Sequence, residues 1–224
     1  MATLSETASA LKSRTRHEVL DARAAKGQRE RMLDDEALVQ RLQTWLSTTV
    51  GDLTSPVIAA YVPAGDEPGA SVASPSGGKP GQGFVEALAN AVPKARILLP
   101  VCPPSAPQPL HWGYYDGSLH KGRFGLLEPV AKDCALSPES LRAADAIILP
   151  AVAADPTTGM RLGRGAGYYD RSLGFARRSA ETVGGRAAAI AVAVFDTELR
   201  HGLAYDEHDV PADYVITPKR ITQI

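Results

Sequence analysis

The sequence is poor in cysteine, in aromatic side chains and in long apolar runs. Cys102 and Cys134 are its two cysteines among 224 residues, and they form no CxxC pair. That argues against a disulfide framework or a cysteine-based metal site, and both read as small buried residues of a reducing compartment. No apolar stretch approaches the ~20 residues of a membrane-spanning helix. The opening MATLSETASALKSRTR is polar and mixed in charge, without the apolar centre of a secretory leader. A net charge of −1 supplies no global field toward nucleic acid or anionic membrane, so any anion has to be held by locally placed charge. What remains is a cytoplasmic protein of ordinary globular composition, implying no nucleic-acid, membrane or obligate protein partner. Its length suits one domain spanning residues 1–224.

Proline is missing from residues 8–48, and apolar residues recur there at helical spacing: Leu11, Val19, Leu20, then Leu33, Leu38, Val39, Leu42, Trp45 and Leu46. This predicts two N-terminal helices broken at Gly27, preceded by a flexible tail over 1–11. Short apolar runs at 57–62, 96–100, 146–150, 189–195 and 214–217 read as strands, with helical segments at 84–92, 137–144 and 168–183 between them. Continuous apolar strands alternating with helices predict an α/β fold, a three-layer α/β/α domain around a mainly parallel sheet. Ligands of such sheets gather at the carboxyl ends of the strands. Two segments stand apart. In 63–83, 13 of 21 residues are Gly, Pro or Ser, which reads as a loop with a mobile insertion over 70–83. The Pro- and Gly-rich segment 102–132 carries Trp112, Tyr114, Tyr115 and Phe124 and reads as a β-rich excursion lining a pocket.

Glycine alternates at 163, 165 and 167 in Arg161-Leu-Gly-Arg-Gly-Ala-Gly-Tyr-Tyr-Asp170, which follows a predicted strand and opens a predicted helix. Gly163, Gly165 and Gly167 allow a tight turn and a close backbone approach, and the helix start adds inward N–H groups and a positive dipole end. A phosphate chain suits that arrangement. Five arginines against the single acid Asp170 between 161 and 178 support it, with Arg164 placed to clamp phosphate oxygens and Asp170 to hold Mg²⁺. The competing reading is a plain glycine-rich turn with Tyr168 and Tyr169 in the core. GxGxG is neither the dinucleotide nor the Walker pattern. Elsewhere, Lys12 and Arg16 share one helix face and reach either solvent or a nucleotide. In Glu207-His-Asp209, Asp209 is a second metal carboxylate or part of a turn.

Taken in order, Lys12…Arg16, Tyr61-Val-Pro…Glu67, Phe124-Gly-Leu-Leu-Glu-Pro129, Arg161–Asp170 and His208-Asp-Val-Pro-Ala-Asp-Tyr-Val-Ile-Thr217 resemble the 5-formyltetrahydrofolate cyclo-ligase family. The resemblance implies an ATP- and Mg²⁺-dependent closure of 5-formyltetrahydrofolate to 5,10-methenyltetrahydrofolate. It implies that Lys12, Arg16, Arg161, Leu162, Gly163, Arg164, Gly165, Ala166, Gly167, Tyr168 and Tyr169 contact ATP, with Lys12 and Arg164 catalytic. Val62, Glu67, Trp112, Tyr115, Phe124 and Tyr168 would meet the reduced folate, and Asp170 and Asp209 the metal. The sequence departs from the family at Ala166, where Gly or Lys is usual, and at Gly69-Ala70 after Glu67-Pro68. Those departures keep two alternatives open: a related ATP-dependent ligase or phosphotransferase with another substrate, and a non-catalytic nucleotide-binding regulatory module.

Overall fold

A computed structural model describes residues 2–105, 108–130, 137–183 and 187–224. In chain order its elements are α1 (Ala2–Ala25), α2 (Gln28–Val50), β1 (Val57–Ala59), α3 (Gln82–Ala91), β2 (Arg96–Val101), β3 (His111–Tyr114), β4 (Leu119–Lys121), β5 (Leu127–Pro129), β6 (Ala146–Pro150), β7 (Ala153–Ala154), β8 (Arg161–Leu162), α4 (Tyr168–Val183), β9 (Ala189–Ala193), β10 (Tyr214–Ile216) and β11 (Ile221–Gln223). Among the described residues no helix is long and apolar enough to cross a membrane.

Seven strands form one sheet in the order β11-β10-β9-β6-β1-β2-β3. The interior pairs are parallel, and the two edge pairs, β10 with β11 and β2 with β3, are antiparallel. Strand alternation sorts the side chains between two faces. Ile58, Ile97, Leu99, Ile148, Ala191 and Ala193 face α2 and α3, where Leu38, Leu42, Leu46, Phe84 and Leu88 are fully buried. Ala59, Leu98, Ile147, Leu149, Ile190, Val192 and Val215 face α4, through Leu173 and Ala176. The α/β architecture with a mainly parallel sheet is as expected.

α1 belongs to neither layer. Its Val19 packs on Val152, Ala153 and Leu162 of the short β7–β8 hairpin, so it lies across the segment that continues from the carboxyl end of β6. The break at Gly27 is real; that residue is extended and caps α2. Other expectations shift. The segment 1–11, expected as a tail, is helical from Ala2 as the start of α1. The helix expected over 137–144 is a 3-10 stretch, Pro138–Ala143. Six residues cannot develop an α-helix before Asp145 turns back to accept the Val57 N–H at 2.8 Å. The 70–83 insertion ends in α3, and its turns are tied: Asp35 accepts from Gly69 N and Ser71 N, and Glu86 from the Ser74 and Ser76 hydroxyls.

Candidate active site

The glycine turn lies where the sequence places it, between β8 and the first turn of α4. Gly165 (φ 104°) and Gly167 (φ 64°) are left-handed, whereas Ala166 between them is not. An alanine therefore fits without strain, and two of the three glycines are needed for their backbone freedom. α1 holds the turn from behind: Arg16 Nε donates to the Gly163 carbonyl at 2.8 Å. One turn earlier, Lys12 Nζ meets Asp206 at 2.7 Å and Asp209 at 3.4 Å. Partial burial alone would lower the Lys12 ammonium pKa, but the two carboxylates outweigh it and raise the pKa.

Arg161 and Arg164 of the turn differ. Arg161 is buried, with its guanidinium on Asp170 and on the Val210 carbonyl. Burial pushes its pKa down, opposed by Asp170 and then Asp209. Arg164 is 51% exposed and reaches across to the loop after β1, where it meets Asp66 and Glu67 at 3.1 Å each. Glu67 is steadied by the Ala64 N–H at 3.1 Å. Asp66 is a site residue that sequence reasoning missed, since a loop acid beside Gly65 carries no local signal of an arginine 98 positions away.

These elements wall a cavity of about 630 Å³ at the carboxyl ends of the strands, of the size of a small-molecule site. One end is the glycine turn, with Arg161, Arg164, Tyr168, Tyr169 and Asp170. Val62 and Glu67 also line it, as do Phe124, Leu126, Leu127 and Glu128 of the β4–β5 hairpin. Phe124 has φ 57°, an unusual backbone for a bulky residue, and its ring is 69% exposed at the cavity. Cys102, expected in the core, is half-buried and lines the cavity; burial, then the charge of Glu128, raises its thiol pKa. Cys134 lies outside the described residues.

Trp112 and Tyr115 do not join the site. Trp112 is fully buried among the side chains facing α4, because strand alternation at β3 turns it into the core rather than the pocket. Tyr115 packs on the opposite face of the sheet and is near Gln82 and Glu86. Leu162 is likewise a core residue, beside Val19. Glu128, which lines the cavity, and Asp206, which pairs with Lys12, are residues the sequence did not single out.

Asp170 and Asp209 are the carboxylates available to a metal. Each is paired to a cation through one oxygen, Asp170 through Oδ1 to Arg161 and Asp209 through Oδ2 to Lys12. Among the described residues their other oxygens carry no hydrogen bond. One free carboxylate oxygen on each of two residues, with phosphate oxygens to complete the shell, fits the hard, oxygen-seeking Mg²⁺. The described residues hold no group of three or more His, Cys, Asp or Glu arranged as a self-sufficient metal site.

Comparison with known proteins gives a consistent result. A model of the 5-formyltetrahydrofolate cyclo-ligase family matches residues 81–218, a span that includes the glycine turn and Asp209 but not Lys12, Arg16, Val62 or Glu67. A 5-formyltetrahydrofolate cyclo-ligase from Mycolicibacterium smegmatis is 38% identical over 189 residues, covering 83% of this chain and 84% of the relative. Among solved structures, a 5,10-methenyltetrahydrofolate synthetase from Aquifex aeolicus superposes with a TM-score of 0.66 at 24% identity, covering 95% of this chain and 92% of that one. Its counterpart from Mycoplasma pneumoniae gives 0.60 at 21% identity, over 92% and 98%. At those identities the structures show a shared fold.

Proposed function

The chain belongs to the 5-formyltetrahydrofolate cyclo-ligase family, and from that premise we propose that it closes 5-formyltetrahydrofolate to 5,10-methenyltetrahydrofolate with consumption of ATP. The observation that carries the reading is the single cavity joining the arginine-bearing glycine turn to an apolar and aromatic overhang. One part suits a phosphate chain, the other a flat heterocycle.

The chemistry needs both. A formyl amide oxygen is a poor nucleophile and a poor leaving group. Attack of that oxygen on the γ-phosphorus breaks the bond to the β–γ bridging oxygen and releases ADP, leaving an imidate-like phosphate. N10 then bonds to the formyl carbon, loses its proton, and expels phosphate as the N5–C–N10 bridge forms. Charge neutralisation and positioning are the protein's main tasks in such a transfer.

In this reading the turn's backbone and α4 N-terminus receive the phosphates, with Lys12 and Arg16 approaching from α1. Arg164 leaves Asp66 and Glu67 to meet the transferring phosphoryl group, and its half-exposed position permits that exchange. Arg161 stays with Asp170 and keeps that carboxylate oriented. Mg²⁺ held by Asp170 and Asp209 would neutralise phosphate charge. Val62, Glu67, Phe124 and Tyr168 would enclose the folate.

Purified protein mixed with Mg²⁺-ATP and 5-formyltetrahydrofolate is expected to develop the absorbance of the methenyl product. Absence of product at high enzyme concentration overturns the reading. Tight ATP binding without folate binding in calorimetry would instead assign a different acceptor to the same phosphate site.

A further inference from the structure

We propose that Glu128 is the residue that recognises the pterin, accepting hydrogen bonds from its 2-amino and N3–H groups; the inference rests on the folate reading above. Glu128 lies on β5 with 6% of its surface exposed, and it lines the cavity. Its Oε1 accepts one hydrogen bond, from Cys102 N at 2.9 Å. Among the described residues it has no other backbone donor and no basic side chain within ion-pair distance. Arg123, on the same hairpin, forms no ion pair with it. It donates to the Pro103 carbonyl at 2.6 Å and lies over the Phe124 ring.

The site is built around this carboxylate. A Cβ on Gly122 would come within 2.1 Å of Glu128 Cδ and Oε2, so the glycine makes the room the carboxylate occupies. Burying a carboxylate without a cation is costly unless donors reach it. Every other buried or half-buried acid described around the site has a cation: Asp170 has Arg161, Asp209 has Lys12, Glu67 has Arg164 and Glu198 has Arg23. Among the described residues Glu128 has only the backbone N–H and the thiol of Cys102, and it lines a cavity from which a ligand's donors can reach it.

The chemistry of the ligand follows. Two carboxylate oxygens match a pair of adjacent N–H donors, and the pyrimidine edge of a pterin offers such a pair. Adenine does not: its single amino group is flanked by acceptor nitrogens that the carboxylate would repel. Phosphates and the glutamate tail of a folate carry the wrong charge. The 2-amino and N3 edge is also remote from N5 on the bicyclic ring. Anchored at Glu128, the pterin therefore turns its N5-formyl group away from β5 and toward the rest of the cavity, where Arg164 and the glycine turn lie. Glu128 would thereby set both specificity and orientation.

The test uses the whole protein and the isosteric Glu128→Gln variant, whose side-chain oxygen can keep the Cys102 contact but which presents a donor where N3–H needs an acceptor. The KM for 5-formyltetrahydrofolate is expected to rise roughly 10- to 100-fold, the range for a buried hydrogen bond to a charged group. The Kd for ATP and the Tm should stay near wild type. The wild type should disfavour the 2-desamino-2-methyl analogue of the substrate by a similar factor, and the variant should lose most of that preference. An unchanged folate KM, or a loss of ATP affinity in step with it, overturns the proposal. Should the variant fail to fold, the analogue against the wild type decides: equal KM values for analogue and substrate overturn it. A wild type that makes no methenyl product at all fails the proposed function, whereas a productive wild type with an indifferent Glu128→Gln variant fails this inference alone.

Discussion

Of the arginine–carboxylate contacts near the mouth of the sheet, two are built for opposite purposes. Arg23 and Glu198 form a pair with side chains 1% and 4% exposed, joined by two 2.7 Å hydrogen bonds. A third bond runs from Arg23 to the Ala151 carbonyl, and the Glu198 carboxylate also accepts the Phe195 N–H, both at 2.9 Å. Arg164 and its acids Asp66 and Glu67 are joined by two 3.1 Å bonds, with the arginine 51% exposed. The first contact fastens α1 to the body of the domain and has both carboxylate oxygens engaged. The second spans the cavity and can be exchanged for a ligand. The same chemical pair acts as a fastener where water is excluded and as a clasp where water enters, because the cost of leaving a partner unpaired depends on desolvation. The two are also coupled, since Asp66 and Glu67 contribute to the field at Arg23.

Removing the fastener should have the largest effect. Arg23→Ala strands Glu198 in the interior and is expected to lower stability by about 3–5 kcal/mol, read as the midpoint of urea unfolding. Replacing both partners, as Arg23→Met with Glu198→Leu, should recover most of that loss, since apolar residues often substitute for a buried ion pair. If the double variant is as unstable as the single one, the pair is more than a fastener. The clasp should respond the other way. Arg164→Ala is expected to leave the unfolding midpoint within about 0.5 kcal/mol, as for an exposed substitution, while kcat falls roughly 10²-fold or more if Arg164 meets charge developing in the transition state. A change confined to KM would remove Arg164 from the chemistry and leave it a binding contact.

Sequence periodicity reveals the scaffold on which these contacts sit and says little about their partners. The apolar runs at 146–150 and 189–195 locate β6 and β9 because parallel strands buried on both faces must be continuously apolar. β7 and β8 escape the same reading, for strands of two residues have no period to detect, and β11, Ile221-Thr-Gln223, has no apolar run. The glycine turn is legible through composition, and its resemblance to a known family carries most of the site. The sequence identifies Arg164 through its glycine turn but gives no role to Arg23, which sits in a basic helical stretch and whose pairing follows from its burial. Trp112 illustrates the reverse error. An aromatic in a Pro- and Gly-rich excursion reads as a pocket wall, yet β3 pairs with β2 and alternation turns the indole into the core. Glu128 is hidden for a similar reason, since nothing in Leu-Leu-Glu-Pro tells which face of a short hairpin looks into a cavity.

A third contact, between Lys12 and Asp206, tests whether exposure is the right axis for the comparison. Its acid is 73% exposed while its lysine is 17% exposed, which places it nearer the clasp than the fastener. The hydrogen bond and then the charge of Lys12 hold the Asp206 carboxyl below its ordinary pKa. A lowered acid contributes stability that is present above the unfolded carboxylate pKa, near 3.8, and that is lost as pH falls through the lowered value. The raised Lys12 works at the opposite limit, its contribution persisting until pH climbs above the usual lysine range. Because the acid is open to solvent, Asp206→Asn is expected to cost less than about 1 kcal/mol at neutral pH. The variant should lose correspondingly less stability than wild type on acidification below pH ~4, where the wild-type carboxylate is being protonated. Denaturant midpoints measured at pH 7 and pH 3 for both proteins supply the check. A loss at pH 7 comparable to that of Arg23→Ala would mean that this contact holds α1 to the Asp206–Asp209 turn as firmly as the buried pair holds it to Glu198, and exposure would no longer separate fastener from clasp.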